Sequence, residues 1–243
     1  MFSKATDSRP NERGVSSSSD ALAAGRTALK SVAAKVLPRS LVVWRGPRES
    51  PPTNRGGRLA LTFDDGPTSL TPAYLDVLRR YGARATFFVV GEFCAQHPDL
   101  VRKIADADHE LAGHGYTHRR FPTLKPSEVE NELRLTAALL PAGSTRGRSL
   151  VRPPHGAISP LSLLACARAA FTTVLWSYDS GDSRTRSSAD VAAAFERTEA
   201  RTPGAIVLLH EGQAWTMEAL PRILERLRKE GHELVTVREL LHG

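Results

Sequence analysis

Residues 58–67 read RLALTFDDGP. Arg58 to Phe63 is a short β-rich run, Asp64 and Asp65 stand at its exit, and Gly66-Pro67 breaks the chain direction. A helical stretch is predicted directly after it, over residues 71–81. The unit is therefore a strand that ends in two carboxylates and passes into a helix.

The same alternation repeats outward along the chain. Further strands are predicted in ARATFFVV (83–90), HELAG (109–113), SLVR (149–152), FTTVLW (171–176), AIVLLH (205–210) and HELVTV (232–237). Helical stretches lie between them at 97–107, 127–140, 160–169, 188–200 and 216–230. Seven strands separated by helices predict a parallel α/β arrangement. Polar residues collect at the strand exits: Asp64 and Asp65, His114, Arg152, Asp179 and His210. In a parallel barrel those ends converge on one face, whereas an open sheet gathers its ligands at a switch point. So many loaded ends favour a barrel. No Gly-rich loop follows the first strand, which removes the dinucleotide-binding reading.

Composition narrows the function classes. The chain has 243 residues, 41% hydrophobic and 24% charged, the balance of a soluble globular protein. No run of 18 apolar residues exists, so no spanning helix is expected. Two cysteines, Cys94 and Cys166, exclude a disulfide scaffold and a multi-cysteine zinc site, so His and Asp must supply any metal ligands. The net charge of +7 is uneven: residues 1–57 hold ten Lys/Arg against four Asp/Glu, and the remainder holds 23 against 22. A globular part so close to neutrality is a poor nucleic-acid footprint, and no nucleic-acid partner is expected.

The basic segment reads as a separate arm. Residues 1–20 are polar, with a four-serine run, and read as disordered. Asp20 caps a predicted amphipathic helix that Pro38 ends, with Leu22, Leu29, Val32, Val36 and Leu37 near one face. Such a helix either contacts an anionic membrane surface peripherally or packs on its own domain. Residues 46–57 read as a Pro/Gly linker. The boundary therefore falls between a basic arm, 1–57, and a domain, 58–243, and a truncation near Gly46 is expected to keep the barrel. The arm lacks the apolar core of a secretory leader. With two cysteines on separate helices, this predicts a cytoplasmic location, peripheral to the membrane if the helix binds lipid.

Five clusters carry chemistry. LTFDDGP offers one carboxylate for a metal and one for a proton, or a plain solvated turn. GHGYTHRRF sets His114 and His118 four apart, which on a helical turn aims both imidazoles the same way. Two His and one carboxylate with open positions make a hydrolytic metal set. In RPPHG, Pro153 restricts Arg152, and a fixed guanidinium can aim a carboxylate. LWSYDSGDS brings Trp176, Asp179 and Asp182 after the fifth strand. IVLLHEG ends a buried strand in His210, a candidate general acid if a carboxylate orients it.

In this order, the clusters resemble the polysaccharide deacetylase family (carbohydrate esterase family 4, the NodB-homology domain), from about Leu59 to Leu241. The resemblance implies a distorted (β/α) barrel of seven to eight parallel strands. It implies Asp65, His114 and His118 as metal ligands, with Zn²⁺ as the expected ion and Co²⁺ or another divalent ion in its place. Asp64 matches the catalytic base, Arg152 its partner, His210 the acid and Asp182 the aspartate that orients it. Leu208 matches an apolar wall of the acetyl pocket, and the His155 backbone N–H an oxyanion donor. His155, Leu208 and Trp176 form the expected substrate-binding set.

The implied function is a metal-dependent hydrolase that removes an N-acetyl group from an amino sugar in an oligo- or polysaccharide or its precursor, releasing acetate. Two other readings stand beside it. One is an O-acetyl esterase or deformylase on a sugar, including a lipid-linked one. The other is an inactive carbohydrate-binding relative. Three positions depart from the family pattern: Ser183 where Trp is usual, His155 where an aromatic is usual, and Gly115 where Ser or Thr is commoner.

Overall fold

The structure, a computed structural model, describes residues 37–48, 56–141 and 148–242. Nine strands alternate with eight α-helices among these residues. They are β1 (Val42–Val43), β2 (Gly57–Gly66), α1 (Thr71–Arg80), β3 (Thr86–Val89), α2 (Gly91–Gln96), α3 (Pro98–Asp106), β4 (Glu110–Gly113), α4 (Pro126–Ala137), β5 (Ser149–Val151), α5 (Pro160–Arg168), β6 (Phe171–Val174), β7 (Tyr178–Asp179), α6 (Ser188–Ala194), β8 (Ile206–His210), α7 (Ala214–Lys229), β9 (His232–Leu234) and α8 (Val237–His242). Four helices, α1, α3, α4 and α5, carry Pro at their first or second position, where its missing N–H costs nothing.

All strand pairs are parallel, in the order β1-β6-β5-β4-β3-β2-β8-β7, with β9 on β2. The sheet curls until its ends approach, and Arg45, just past β1, bridges Ala205 beside β8. This is the expected distorted barrel, joined at that seam by a single bridge in place of a continuous ladder.

Strand alternation sorts the core into two sides. Leu59, Leu61 and Phe63 of β2 pack with Tyr74 and Leu78 of α1 and Leu220 and Leu224 of α7. Ala60 points the other way, into a cluster with Val43, Phe88, Leu150, Val174 and Ile206, which Val237 and Leu240 of α8 close. That second cluster is the barrel interior. Thr62 and Asp64 share its side of β2, so Asp64 enters the site from within the barrel.

The seven predicted strands all form, and the structure adds β1 and β7. The boundary expected at residue 57 is corrected by β1. Val42 and Val43 pair with Thr173 and Val174 of β6, and both are buried. The Thr173 and Leu175 N–H groups donate to the Leu41 and Val43 carbonyls at 2.8 and 2.7 Å. The folded part thus includes residues before Gly46, because the apolar run Leu41 to Trp44 covers what would otherwise be an open sheet edge. The helix predicted over 188–200 stops at Ala194 and is followed by a 3₁₀ turn at Thr198–Arg201. The amphipathic helix expected over 20–37 and most of the 46–57 linker lie outside the described residues. No described helix is long and apolar enough to cross a membrane.

Candidate active site

The exit of β2 sets the site. The register of β2 on β3 slips between Asp64 and Gly66, so Asp65 is the extra residue of a β-bulge. In an unbroken strand, neighbours point to opposite faces, and Asp65 would turn toward the helices. The bulge, with Asp65 at φ 69°, re-aims its side chain instead. His118 and His155 also hold left-handed backbone, at φ 57° and 58°. Such conformations are costly outside glycine and persist where the surroundings impose them.

Asp65, His114 and His118 converge. Asp65 Oδ1 lies 3.3 Å from His114 Nε2 and 3.1 Å from His118 Nε2. All three ligand atoms fall within 4.8 Å of one another. His114 Nδ1 sits 2.8 Å from the Arg152 carbonyl, so Nδ1–H donates there and Nε2 keeps its lone pair. A lone pair facing a carboxylate oxygen at this distance calls for a cation or a proton between them. Donors bound to a common zinc at about 2.0–2.2 Å would stand at similar separations, so the three residues fit a divalent ion. Where protons on His114 and His118 take the place of an ion, their hydrogen bonds and charge outweigh the burial that works against charge on Asp65 and hold its carboxyl below the ordinary carboxylate range.

The His114–His118 spacing was expected to be a helical turn. It is a loop, with Gly115 at φ 77°, and its shape comes from partners elsewhere in the chain. A β-carbon on Gly115 would meet Phe121 and Pro154 at 3.3 Å, so glycine suits both the backbone angle and the space.

Asp64 is almost wholly buried. Its Oδ1 accepts from Arg152 Nη1 at 2.6 Å, and its Oδ2 lies 3.7 Å from His114 Nε2. Arg152 is fully buried and fully engaged. It donates to Thr62 Oγ1 at 2.8 Å and to the Val174 and Leu175 carbonyls at 3.3 and 3.2 Å, and it lies 4.0 Å over the Phe88 ring. Burial lowers the Arg152 pKa and the Asp64 charge opposes that. A buried pair this well satisfied is costly to break, and removal of one partner costs about 3–5 kcal/mol.

On the adjoining strand, in register with Asp64, His210 ends β8. Its Nδ1–H donates to Asp182 Oδ1 at 2.7 Å, and its backbone N–H donates to Asp182 Oδ2 at 2.7 Å. Burial would lower the His210 pKa. The Asp182 hydrogen bond and charge, helped by Asp64 and Asp65, raise it to about 9. The imidazole is therefore a cation at neutral pH, with Nε2–H available to donate.

The remaining expected residues are less uniform. His155 is exposed, with its ring centroid 4.7 Å from that of His118. Burial and the neighbouring charges of His118 and Arg120 lower its pKa. Leu208 is buried in β8 between Thr62 and Asp179. Trp176 is half-buried against the barrel interior, 5.6 Å from the Arg152 guanidinium. Asp179 is not drawn into the site: it pairs with the exposed Arg184 at 3.0 Å. Ser183 is exposed.

Several contributors were not visible from the sequence. The Thr216 hydroxyl donates to Asp182 Oδ2 at 2.9 Å, and Trp215 Nε1–H donates to the Asp182 carbonyl at 2.7 Å. Glu132 accepts from the backbone of Tyr116 and Thr117. Each link joins segments 15 or more residues apart, and none carries a local pattern.

The polysaccharide deacetylase family matches this chain over residues 52–175. Peptidoglycan-N-acetylglucosamine deacetylase PgdA of Listeria monocytogenes is 33% identical over 211 residues, 86% of this chain and 43% of that protein. The chain thus spans less than half the length of that relative. A peptidoglycan-N-acetylglucosamine deacetylase of Bacillus cereus is 34% identical over 209 residues, 84% of this chain and 94% of that protein. A family 4 carbohydrate esterase from Streptomyces lividans, solved with acetate, superposes with a TM-score of 0.67 at 35% identity, covering 73% of this chain and 91% of that one.

Proposed function

Since this chain belongs to the polysaccharide deacetylase family, we propose that it hydrolyses the N-acetyl group of an N-acetylated amino sugar within a saccharide, releasing acetate and a free amine. The observation that carries this reading is the Asp65/His114/His118 cluster flanked by two ion pairs, Asp64–Arg152 and His210–Asp182. N-acetylglucosamine is the proposed sugar, on the strength of the Listeria and Bacillus relatives' names.

Asp65, His114 and His118 would hold the divalent ion, and the mixed nitrogen and oxygen donor set supports Zn²⁺, with Co²⁺ as a substitute. Such an ion supplies carbonyl polarisation and a water of lowered pKa. Asp64 accepts the proton of the attacking water. Its Oδ1 is tied to Arg152, which fixes the carboxylate and leaves Oδ2 on the side of His114. The His155 N–H is assigned to the developing oxyanion. His210, charged and held by Asp182, protonates the departing amine through Nε2. Leu208 and Trp176 are assigned to the walls around the acetyl group and sugar.

The test is mass spectrometry of acetylated chitooligosaccharides after incubation with zinc-loaded protein. Loss of single acetyl units with matching acetate supports the reading. Unchanged saccharides, with an O-acetylated sugar cleaved under the same conditions, would replace it with an esterase.

A further inference from the structure

The loop that carries both histidine ligands owes its shape to a carboxylate on another element. Between His114 and His118, the Gly115 and Tyr116 carbonyls accept from the N–H groups of Gly91 and Glu92, at 3.0 Å each, at the start of α2. The loop's own N–H groups go elsewhere. Tyr116 and Thr117 donate their N–H to Glu132 Oε2 at 2.7 and 2.8 Å, and the Thr117 hydroxyl donates to Glu132 Oε1 at 2.8 Å. Glu132 lies on α4 and is buried. Its side-chain oxygens thus take three bonds, all from the two residues that precede His118.

This placement bears on the metal ligand. His118 holds left-handed backbone at φ 57°, a conformation unfavourable for a residue with a β-carbon. Something must impose it, and Thr117, pinned at both its N–H and its hydroxyl, is the adjoining residue. Without the carboxylate, two loop N–H groups lose their partner, an unfavourable state where water cannot replace it. The loop then relaxes, and the 3.1 Å approach of His118 Nε2 to Asp65 Oδ1 is lost.

We infer that Glu132 is a positioning residue of the metal site, acting through Tyr116 and Thr117 to hold His118 in its ligating orientation. The inference rests on the deacetylase reading only in requiring a divalent ion on Asp65, His114 and His118.

The experiment is titration of metal-free full-length protein with Co²⁺, read by its visible absorption, and with Zn²⁺ in competition with a chromophoric chelator. Glu132→Ala should weaken metal binding about 10- to 100-fold, the usual cost of losing a residue that orients a ligand. Glu132→Gln should recover most of that loss, since its amide oxygen can take both N–H groups and its NH₂ can donate to the Thr117 hydroxyl. At saturating metal, turnover of Glu132→Ala should return toward wild type. Glu110→Gln is the control, a buried glutamate that instead joins Thr86 and Arg238. It should lower the melting temperature and leave metal affinity alone. Affinity in Glu132→Ala within twofold of wild type, or Glu132→Gln no better than Glu132→Ala, overturns the inference. If Glu132→Ala does not fold, Thr117→Val decides: a few-fold weaker affinity supports the role, and unchanged affinity overturns it. A wild-type chain that binds neither ion overturns the deacetylase reading as well, which separates the two failures.

Discussion

Asp64 and Asp65 adjoin in sequence, yet the bulge at Asp65 gives them different neighbours. Asp65 faces two imidazoles, and Asp64 faces Arg152 inside the barrel. Asp64→Asn should therefore keep the metal and lose about 10²- to 10⁴-fold in turnover, the scale of a missing general base. His114→Ala should lose the metal. Elemental analysis beside kinetics separates the two, and metal loss in both variants would contradict this division. His210 makes a second prediction at this scale. Its folded pKa of about 9 is raised above the ordinary histidine value of about 6.5. The pairing with Asp182 then adds stability in full below about 6.5, and that stability is lost as pH rises through about 9. With His210 in its proposed role as the acid, turnover should fall over the same upper range. Asp182→Asn should move this alkaline limb down, because burial is then opposed only by the charges of Asp64 and Asp65. A pH–rate profile checks it, and an unmoved limb would remove His210 as the acid. The paired residues were legible in the sequence as motifs at strand exits. The bulge was not, because DD followed by GP reads equally as a turn. The contacts of Thr216 and Trp215 with Asp182 were not either, because they depend on how α7 sits on β8.

At the scale of elements, the strands announced themselves where they were long or wholly buried, as in Leu59 to Phe63 and Ile206 to Leu209. The two-residue strands β1 and β7 did not, because two residues carry no period. Their pairing is decided by what the edges of β6 and β8 leave open. β1 yields a direct test. Deletion of residues 1–36 leaves β1 whole and gives the reference melting temperature. Deletion through Gly46 also removes Val42 and Val43, each worth about 1.5–3 kcal/mol of burial, and exposes the Thr173 and Leu175 N–H donors, so it should melt lower. Thermal melts of the two truncations check this. Equal melting temperatures would mean that β1 adds nothing to the sheet. The His114–His118 turn shows the reverse case. Its four-residue spacing suggested a helix, but Gly115 in left-handed conformation and Glu132 on α4 make it a loop.

For the whole molecule, the parallel order of strands and the polar residues at their exits predicted one loaded end, and the curled sheet has it. Closure could not be read from periodicity, since the seam depends on Arg45 meeting Ala205 across more than 150 residues. Assembly of the ligand set also has a global consequence. An ion that binds the folded chain and not the unfolded one adds about 2.7 kcal/mol at 100 times its dissociation constant. Zinc should accordingly raise the melting temperature of the full chain, and His114→Ala should abolish that rise. The Asp65/His114/His118 cluster is proposed to hold the ion on which sugar deacetylation depends. The most direct measurement is acetate release from acetylated chitooligosaccharide by protein stripped with a chelator, with residual metal counted by elemental analysis. Activity should vanish with the metal and return on addition of Zn²⁺ or Co²⁺, near one ion per chain. Full acetate release from protein shown to be metal-free would contradict the account.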